Sequence, residues 1–402
     1  MNRLFSAYLK SFANIQRNVW ILAIAMFINR SGSMVLLFTS LYLTNDLHFT
    51  IAQAGIALSF YGIGSVAGSY AGGWLTDRRN FFNIMVFSLL CSGSILLLLL
   101  IAKTPFQIAL IIFIYAFTAD MFRPANSKAI ASYSTIENRT RSVSLVRLAV
   151  NLGFSLGPAA GGFTALYLGY KWLFVIDACT SFAAALMLFL YLPKEAGQPK
   201  HERTHVLSDH STSAYRDAPY LLFILLVAFY GICFFQLFAS IPQYFSKICH
   251  YHEDTIGLLL ALNGLLVVII EMPLVTILEK NRRLFPFIIT GTLCIPVSFC
   301  FLLFGKGMMA SAVVYTFVIT FSEIFAMPFM MNYSLSRPAK ERQGQYSALY
   351  SISFGLANIF APLLGLGIAG RYGFDNMFYF LILLSILTAS GFWLLSKRGI
   401  KN

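Results

Sequence analysis

The stretch SVSLVRLAVNLGFSLGPAAGGFTALYL, Ser142 to Leu168, is predominantly apolar, carries no charge except Arg147 and is long enough to cross a lipid bilayer, since about 20 helical residues at ~1.5 Å rise span the hydrocarbon layer. Inside it stand Gly153, Gly157-Pro158 and Gly161-Gly162. In a water-soluble helix such a cluster would be costly, because glycine loses the most entropy on ordering and proline removes an amide donor. A membrane helix tolerates it in return for close helix approach or a bend. The stretch therefore reads as a spanning helix built to bend or to admit a close neighbour, either as a hinge or as a small-residue packing seam.

Working outward, comparable apolar runs recur near 19–43, 51–76, 80–101, 105–131 and 171–192 before a polar interval, and near 218–246, 254–278, 284–304, 308–335, 343–370 and 374–396 after it. These predict an all-α membrane protein of twelve transmembrane helices. The 402 residues are 58% hydrophobic and 11% charged, with a net charge of +13. A basic balance of this size raises the question of nucleic acid, but the great majority of Lys and Arg fall at the termini and even-numbered connections. That asymmetry is the positive-inside rule, so the charge is topological and no nucleic-acid partner is expected. Both termini and the central loop are predicted to be cytoplasmic, in a multi-pass protein of the cell inner membrane. Met1 to Asn18 is polar and basic, and the first apolar run exceeds the core of a cleavable signal. The six cysteines, Cys91, Cys179, Cys233, Cys249, Cys294 and Cys300, lack metal or disulfide spacing.

Residues 193–217 hold Gly197, Pro199 and charges of both signs, and read as a linker between an N-terminal bundle, 1–192, and a C-terminal bundle, 218–402. The halves match across it. Pro158 and Pro362, Gly161 and Gly365, and Gly169 and Gly373 share an offset of 204; Tyr42 and Tyr244, and Gly55 and Gly257, share 202. A parallel repeat of six spans is one layout of secondary transporters, which bind substrate near the midplane between rocking halves. Two pseudo-symmetric six-helix bundles are thus expected. The linker histidines His201, His205 and His210 lack the rigid frame a metal site needs.

Charges at membrane depth cost several kcal/mol and persist where they face a cavity or a partner. Here they are Arg30 in the first span, Asp120 and Arg123 in the fourth, Arg147 in the fifth, Asp177 in the sixth, Glu271 in the eighth and Glu323 in the tenth. Asp120 and Arg123, three apart, share one helix face and can pair. A carboxylate in a partly dry cavity changes its proton affinity as the cavity opens and closes, so Asp120, Glu323 and Asp177, with Arg30 and Arg123 adjusting them, are the candidates for proton coupling. Static ion pairs that fasten helices are the alternative. Among 39 Phe and 20 Tyr, most face lipid or pack between helices; Tyr61, Phe234, Phe235, Gln236, Phe238 and Tyr350 stand mid-span beside small or polar neighbours and are candidates to line a cavity suited to amphipathic compounds.

At the turn after the second span stands Gly72-Gly73-Trp74-Leu75-Thr76-Asp77-Arg78-Arg79. This resembles the Gly-x-x-x-Asp-Arg signature of the major facilitator superfamily, and with twelve spans, duplicated halves and a long central loop the resemblance covers the whole chain. It implies that Asp77 closes a cytoplasmic gate against the start of the eleventh helix, near Gln343 to Gln345, with Gly73, Arg78, Arg79, Arg139 and Arg141 contributing. The chain departs from the signature at Asn80, where the family usually has Gly, and at Phe81 and Phe82, where it usually has basic residues. The string Gly153, Gly157, Pro158, Gly161, Gly162 matches the superfamily's helix 5 antiporter signature, which resembles the mark of twelve-span drug:proton antiporters and implies a flexible seam between the halves. The usual Arg-to-Gly spacing of the fourth span is not met, since Ser127 follows Arg123 by four.

The expectation is a secondary transporter that exports amphipathic or lipophilic small molecules against protons by alternating access, with the proton gradient as its energy source, no cofactor and a monomer sufficient. An importer or facilitator of one metabolite, such as a peptide, siderophore or lysolipid, is the alternative on the same fold. No nucleophile, nucleotide loop or metal cluster stands at the spacing an enzyme would need.

Overall fold

A computed structural model describes residues 15–135, 138–193, 214–271, 274, 284–337 and 343–397. Among these, twelve helices are long and apolar enough to cross a membrane: α1 Arg17–Asp46, α2 Ile51–Thr76, α3 Phe81–Leu100, α4 Pro105–Tyr133, α5 Ser142–Tyr167 and α6 Lys171–Tyr191, then α7 Ala218–Lys247, α8 Glu253–Glu271, α9 Phe285–Phe304, α10 Met309–Ser334, α11 Gln345–Tyr372 and α12 Phe374–Lys397. All twelve apolar runs of the sequence are accounted for. Phe304 and Phe106 are 82% and 77% exposed, which would drive aggregation in water and is normal for a surface solvated by lipid.

The helix starts follow local chemistry. Thr104 and Gln107 form a capping box ahead of α4, with Pro105 in its first turn. Asn80 accepts from the Phe82 amide and caps α3, which gives this departure from the family signature a structural use. Asp217 caps α7 by accepting from the Tyr220 amide. Buried hydroxyls bond back into their own helices, as Thr292 does to Ile288 and Thr316 to Ala312. They need no polar partner elsewhere.

Among the described residues, α1, α4 and α7 are interrupted, and α3 and α8 end in a change of winding, α3 in the 3-10 turn Leu98–Leu100. In α1, Arg17–Gly32 gives way at Ser33 and Met34 to Val35–Leu41, which continues as the π-helical turn Tyr42–Asp46. In α4, Pro105–Asp120 breaks at Met121 before Phe122–Tyr133; Pro124 cannot donate to the Asp120 carbonyl one turn back. In α7, segments Ala218–Phe234, Gln236–Ala239 and Ile241–Lys247 meet at Phe235 and Ser240. In α8, Glu253–Leu266 ends in the π turn Val267–Glu271.

The packing sorts the chain into two compact units, Met1–Val35 with Ile63–Arg203, and Leu36–Gly62 with Thr204–Asn402. The first is built on α1 packed against α5 and α6, with α3 against α4 and α6; its core includes Val19, Leu22, Phe82, Met85, Ala184 and Leu188. The second pairs α9 with α10 and α12, and α7 with α11 and α12. Residues 36–62, which precede the central linker in sequence, pack with the unit that follows it. Most of that linker, 194–213, lies outside the described residues.

Conformational repeats accompany the sequence offsets. His48 and His250, 202 apart, both have φ 55, a left-handed state rare outside glycine and enriched in His, Asn and Asp. The hydrogen bonds around them match as well: Leu47 to Tyr42 and Cys249 to Tyr244 at 3.2 Å, Phe49 to Leu43 and Tyr251 to Phe245 at 2.9 Å. Gly169 and Gly373, 204 apart, have φ 91 and 86.

Candidate functional site

In the first unit Arg30 and Asp120 stand beside the breaks of α1 and α4, and Asp177 lies on the continuous helix α6. Asp120, 2% exposed, is the last residue before the α4 break. Arg123 Nε lies 2.7 Å from its Oδ1, as their spacing predicts. Its Oδ2 is buried without a hydrogen-bond partner, as is Asn126 Oδ1 one turn beyond the pair. One carboxylate oxygen is thus paired with Arg123 and the other is buried without a partner.

Arg30 lies in the last turn of the first segment of α1, where a cation complements the helix dipole. Its guanidinium lies 5.3 Å from the Phe154 ring centroid, and its Nε is buried without a hydrogen bond. Asp177 on α6 is 1% exposed; it accepts from the Val35 amide and feels the Arg30 charge. Beside them Asn29 donates to Ser181 across 3.2 Å. The α5 glycines give α1 its access to this place. A Cβ on Gly153 would lie 2.6 Å from Arg30 Cβ, and one on Gly157 would lie 3.3 Å from the Arg30 carbonyl oxygen. Pro158, Gly161 and Gly162 are buried too. The string was expected as a seam between the halves; the structure shows Gly153 and Gly157 seating α1 of their own unit.

Near the end of α2, Arg78 stacks on Trp74 with its guanidinium 3.9 Å from the ring, and Lys128 donates to the Thr76 carbonyl. Glycines 64, 68 and 72 of α2 approach the backbone of Phe113, Phe117 and Met121 on α4. Gly73 faces open space. Arg79 is exposed. The side chains of Asp77, Arg139 and Arg141, and of Gln343 opposite them in the expected gate, lie outside the described residues. Lys128 was not anticipated; a lone lysine in the polar second half of the fourth apolar run was its signal.

In the second unit Asn263 of α8 donates to Glu323 Oε2 (3.2 Å) and to Thr320 Oγ1 (2.9 Å) on α10. Glu323 is half-buried. The Tyr230 hydroxyl lies 3.2 Å from Ser322 Oγ on the same turn. Tyr350 of α11 donates to the Met327 carbonyl, a turn from Glu323, and its ring meets Phe354 at 5.2 Å. Phe354 in turn meets Phe235 at 6.0 Å, and Phe235 meets Phe238 at 6.5 Å. These four aromatic residues are half-buried and contiguous, so the structure gathers three of the predicted cavity residues and adds Phe354. Tyr61 is half-buried on α2. Phe234 and Gln236, by contrast, are 2% and 0% exposed. Gln236 donates to the carbonyls of Ile232 and Ala361 and accepts from Ser240, which locks the broken α7 to α11. A Cβ on Gly365 would fall 2.0 Å from Gln236 Oε1.

Two further polar contacts in this unit escaped the sequence. Where the odd-numbered helices finish, Gln243 donates to Thr44 (2.7 Å) and Lys247 to Asn45 (2.8 Å), joining α7 to α1. Alongside, α2 lies directly on α11: a Cβ on Gly55 would sit 2.6 Å from the Pro362 carbonyl, and one on Gly62 2.6 Å from the Ile359 amide nitrogen. At the opposite end Asp217 holds Arg337 in a two-pronged pair, Nε to Oδ2 at 2.7 Å and Nη2 to Oδ1 at 2.8 Å, and accepts from the Tyr346 hydroxyl at 2.9 Å. Burial pushes the Asp217 carboxyl up, but Arg337, Tyr346 and the Tyr220 amide outweigh it and hold it below the usual range. Arg337 is raised, chiefly by the same bond. An Asp two residues before Pro219 was a legible N-cap signal; its partners were not.

The family model described as Major Facilitator Superfamily matches residues 20–357. A Na(+), Li(+), K(+)/H(+) antiporter of Planococcus maritimus is 24% identical over 420 aligned residues, covering 94% of this chain and 96% of that protein. Multidrug resistance protein 1 of Bacillus subtilis (strain 168) is 22% identical over 340, covering 84% and 85%. Among solved structures, a bacterial homologue of the human lysosomal transporter Spinster, crystallised inward-facing and unoccupied, superposes with TM-score 0.80 at 13% identity, covering 94% of this chain and 96% of that one. At that identity the likeness speaks for the fold.

Proposed function

Because the chain belongs to the major facilitator superfamily, we propose that this transporter exchanges protons for amphipathic or lipophilic small molecules and works as an exporter. The observation that carries the reading is the state of its buried carboxylates. Asp120 and Asp177 each have one oxygen bonded and the other buried and unmet. A group so placed exchanges a proton at modest cost when its surroundings change. Glu323 is held by Asn263 within reach of the aromatic surface formed by Tyr350, Phe354, Phe235 and Phe238. Rings backed by few fixed polar groups suit flat, lipophilic compounds. The relatives named as an antiporter and as a multidrug resistance protein point the same way.

In the proposed orientation both termini face the cytoplasm, and the contacts Gln243 to Thr44 and α2 to α11 lie at the outer face. Alternating access then requires those contacts to part while Lys128, Arg78 and the residues around Asp77 close the inner ends. The test is proton movement in liposomes holding the purified protein under an imposed pH gradient, with lipophilic cations, amphipathic drugs, metabolites and alkali cations added in turn. The expected result is proton flux that depends on particular lipophilic compounds and is lost in Asp120→Asn. Flux driven by sodium or potassium alone would replace the drug reading with cation exchange, which the Planococcus relative performs by name. No compound-dependent flux would overturn proton coupling.

A further inference from the structure

Helix α1 breaks where α5 and α6 both press on it. The residues at the break are Ser31-Gly32-Ser33: Ser31 bonds back to the Phe27 carbonyl and Ser33 to that of Asn29, an arrangement that bends helices. A Cβ on Gly32 would lie 1.8 Å from Thr180 Oγ1 of α6. The α5 glycines hold the other side. The break leaves two helix ends face to face. The carbonyl end carries Arg30. The amide end starts at Val35, and its first amide is bonded by the Asp177 carboxylate from α6. Each half-helix therefore meets the charge its dipole favours. The boundary between the two compact units falls here as well, between Val35 and Leu36.

Two atoms at this junction remain unmet: Asp177 Oδ2, in a residue 1% exposed, and Arg30 Nε. A carboxylate this buried with a single hydrogen bond holds its charge by a narrow margin. Arg30 is the charged group that bears on it among the described residues. From α3 the approach is Gly93 against Phe182 and the Ala178 carbonyl, and from α1 the neutral pair Asn29 and Ser181.

The geometry points to Asp177 as the catch of a hinge in α1: ionised, it fastens the second half of α1 to α6 through the Val35 amide, and on taking up a proton it releases that half to swing at Ser33. The proton comes from bulk water and adds to a carboxylate oxygen, so no co-reactant is needed. The bond from Val35 changes from charge-assisted to neutral, about half as strong. The role rests on the reading of the chain as a proton-driven transporter. It gives Asp177 a positioning task, turning a protonation event into a change of helix angle, distinct from Asp120 and Glu323.

Amide hydrogen exchange of the full chain in lipid nanodiscs, read on peptides covering residues 31–41 and corrected for the intrinsic pH dependence of exchange, tests this without reference to flux. Protection of the Val35 region should fall about tenfold as pH drops through one titration, the fold-change of ~1.4 kcal/mol expected when a bond to a charged group weakens to about half its strength. In Asp177→Asn, which keeps an acceptor but takes no proton, protection should be independent of pH. In Asp177→Ala it should be low throughout. Arg30→Gln, which leaves Asp177 in place, should move the wild-type transition to higher pH, because removing a cation makes the proton easier to bind. A transition that persists in Asp177→Asn, or protection that is flat in the wild type, would overturn the hinge. A normal transition in a protein that moves no protons in liposomes would leave the hinge standing and remove the transport reading.

Discussion

Asp217→Asn isolates a single ion pair. Asn serves as well as Asp at a helix N-cap, so the bond to the Tyr220 amide survives, while the charge that holds Arg337 in two bonds and accepts from Tyr346 disappears. The two side chains are 10% and 18% exposed, so water replaces the lost partner poorly. Breaking a buried pair costs about 3–5 kcal/mol and each bond to a charged group contributes about 1.5–3; Arg337 keeps the Tyr333 hydroxyl at 2.8 Å, which reduces the loss to about 2–4 kcal/mol. Asp217→Ala should cost about 1 kcal/mol more, the cap itself. Thermal unfolding of wild type and both variants in one detergent at one scan rate measures the order, since unfolding of such proteins is a rate as much as an equilibrium. The pH dependence gives a second check. The Asp217 carboxyl is lowered in the folded chain, so its contribution is complete above the unfolded value of about 3.9 and is lost only as pH falls through the lower folded value. The gap between wild type and Asp217→Asn should therefore be constant from pH 8 to 5 and close below about 4. Equal melting of the two proteins, or a gap that narrows between pH 7 and 5, would refute the reasoning.

Gly62→Ala places a Cβ 2.6 Å from the Ile359 nitrogen, and because the obstacle is backbone, α2 and α11 must separate; a cost of about 1–3 kcal/mol should lower the population of this packed state 5- to 150-fold, read by labelling of single cysteines placed along the α2–α11 seam. Gly153→Ala meets Arg30 Cβ at 2.6 Å and should slow transport without abolishing folding, whereas unchanged transport would show that α1 can shift freely. Asn263→Ala removes the donor to Glu323. With that bond gone transport should slow several-fold while the protein still folds, and unchanged transport would take the Asn263–Glu323 contact out of the mechanism.

The fold was legible because membrane helices write their length into hydropathy: the twelve runs and the observed helices begin within about two residues of one another, and all but the eighth, which is described as far as Glu271, end within about three. Proline was no guide to the breaks: Pro124 follows the one in α4, but Pro158, Pro296, Pro328 and Pro362 stand inside continuous helices. The interruption of α1 at Ser33 was not legible, because Ser31-Gly32-Ser33 reads as a packing seam until α6 is seen against it. Pairing within a helix could be read from spacing, as with Asp120 and Arg123. Pairing between helices could not, since hydropathy does not say which face of an apolar helix turns inward. Gln236 looked like a cavity residue for that reason, and it proves to be the bolt between α7 and α11. Asn263, equally polar and equally mid-span, passed unnoticed and holds Glu323.

The turns at His48 and His250 carry a consequence for how such chains age. Around them most identities have drifted, Asp46 against Ile248 and Leu47 against Cys249, yet both residues keep the same unusual torsion and the same pair of hydrogen bonds. Side chains facing lipid or solvent can be exchanged one at a time, whereas a left-handed residue that reverses the chain must be replaced together with the geometry on either side. In this chain the shared torsion and hydrogen bonds at His48 and His250 mark the kinship of the halves where the flanking identities no longer do.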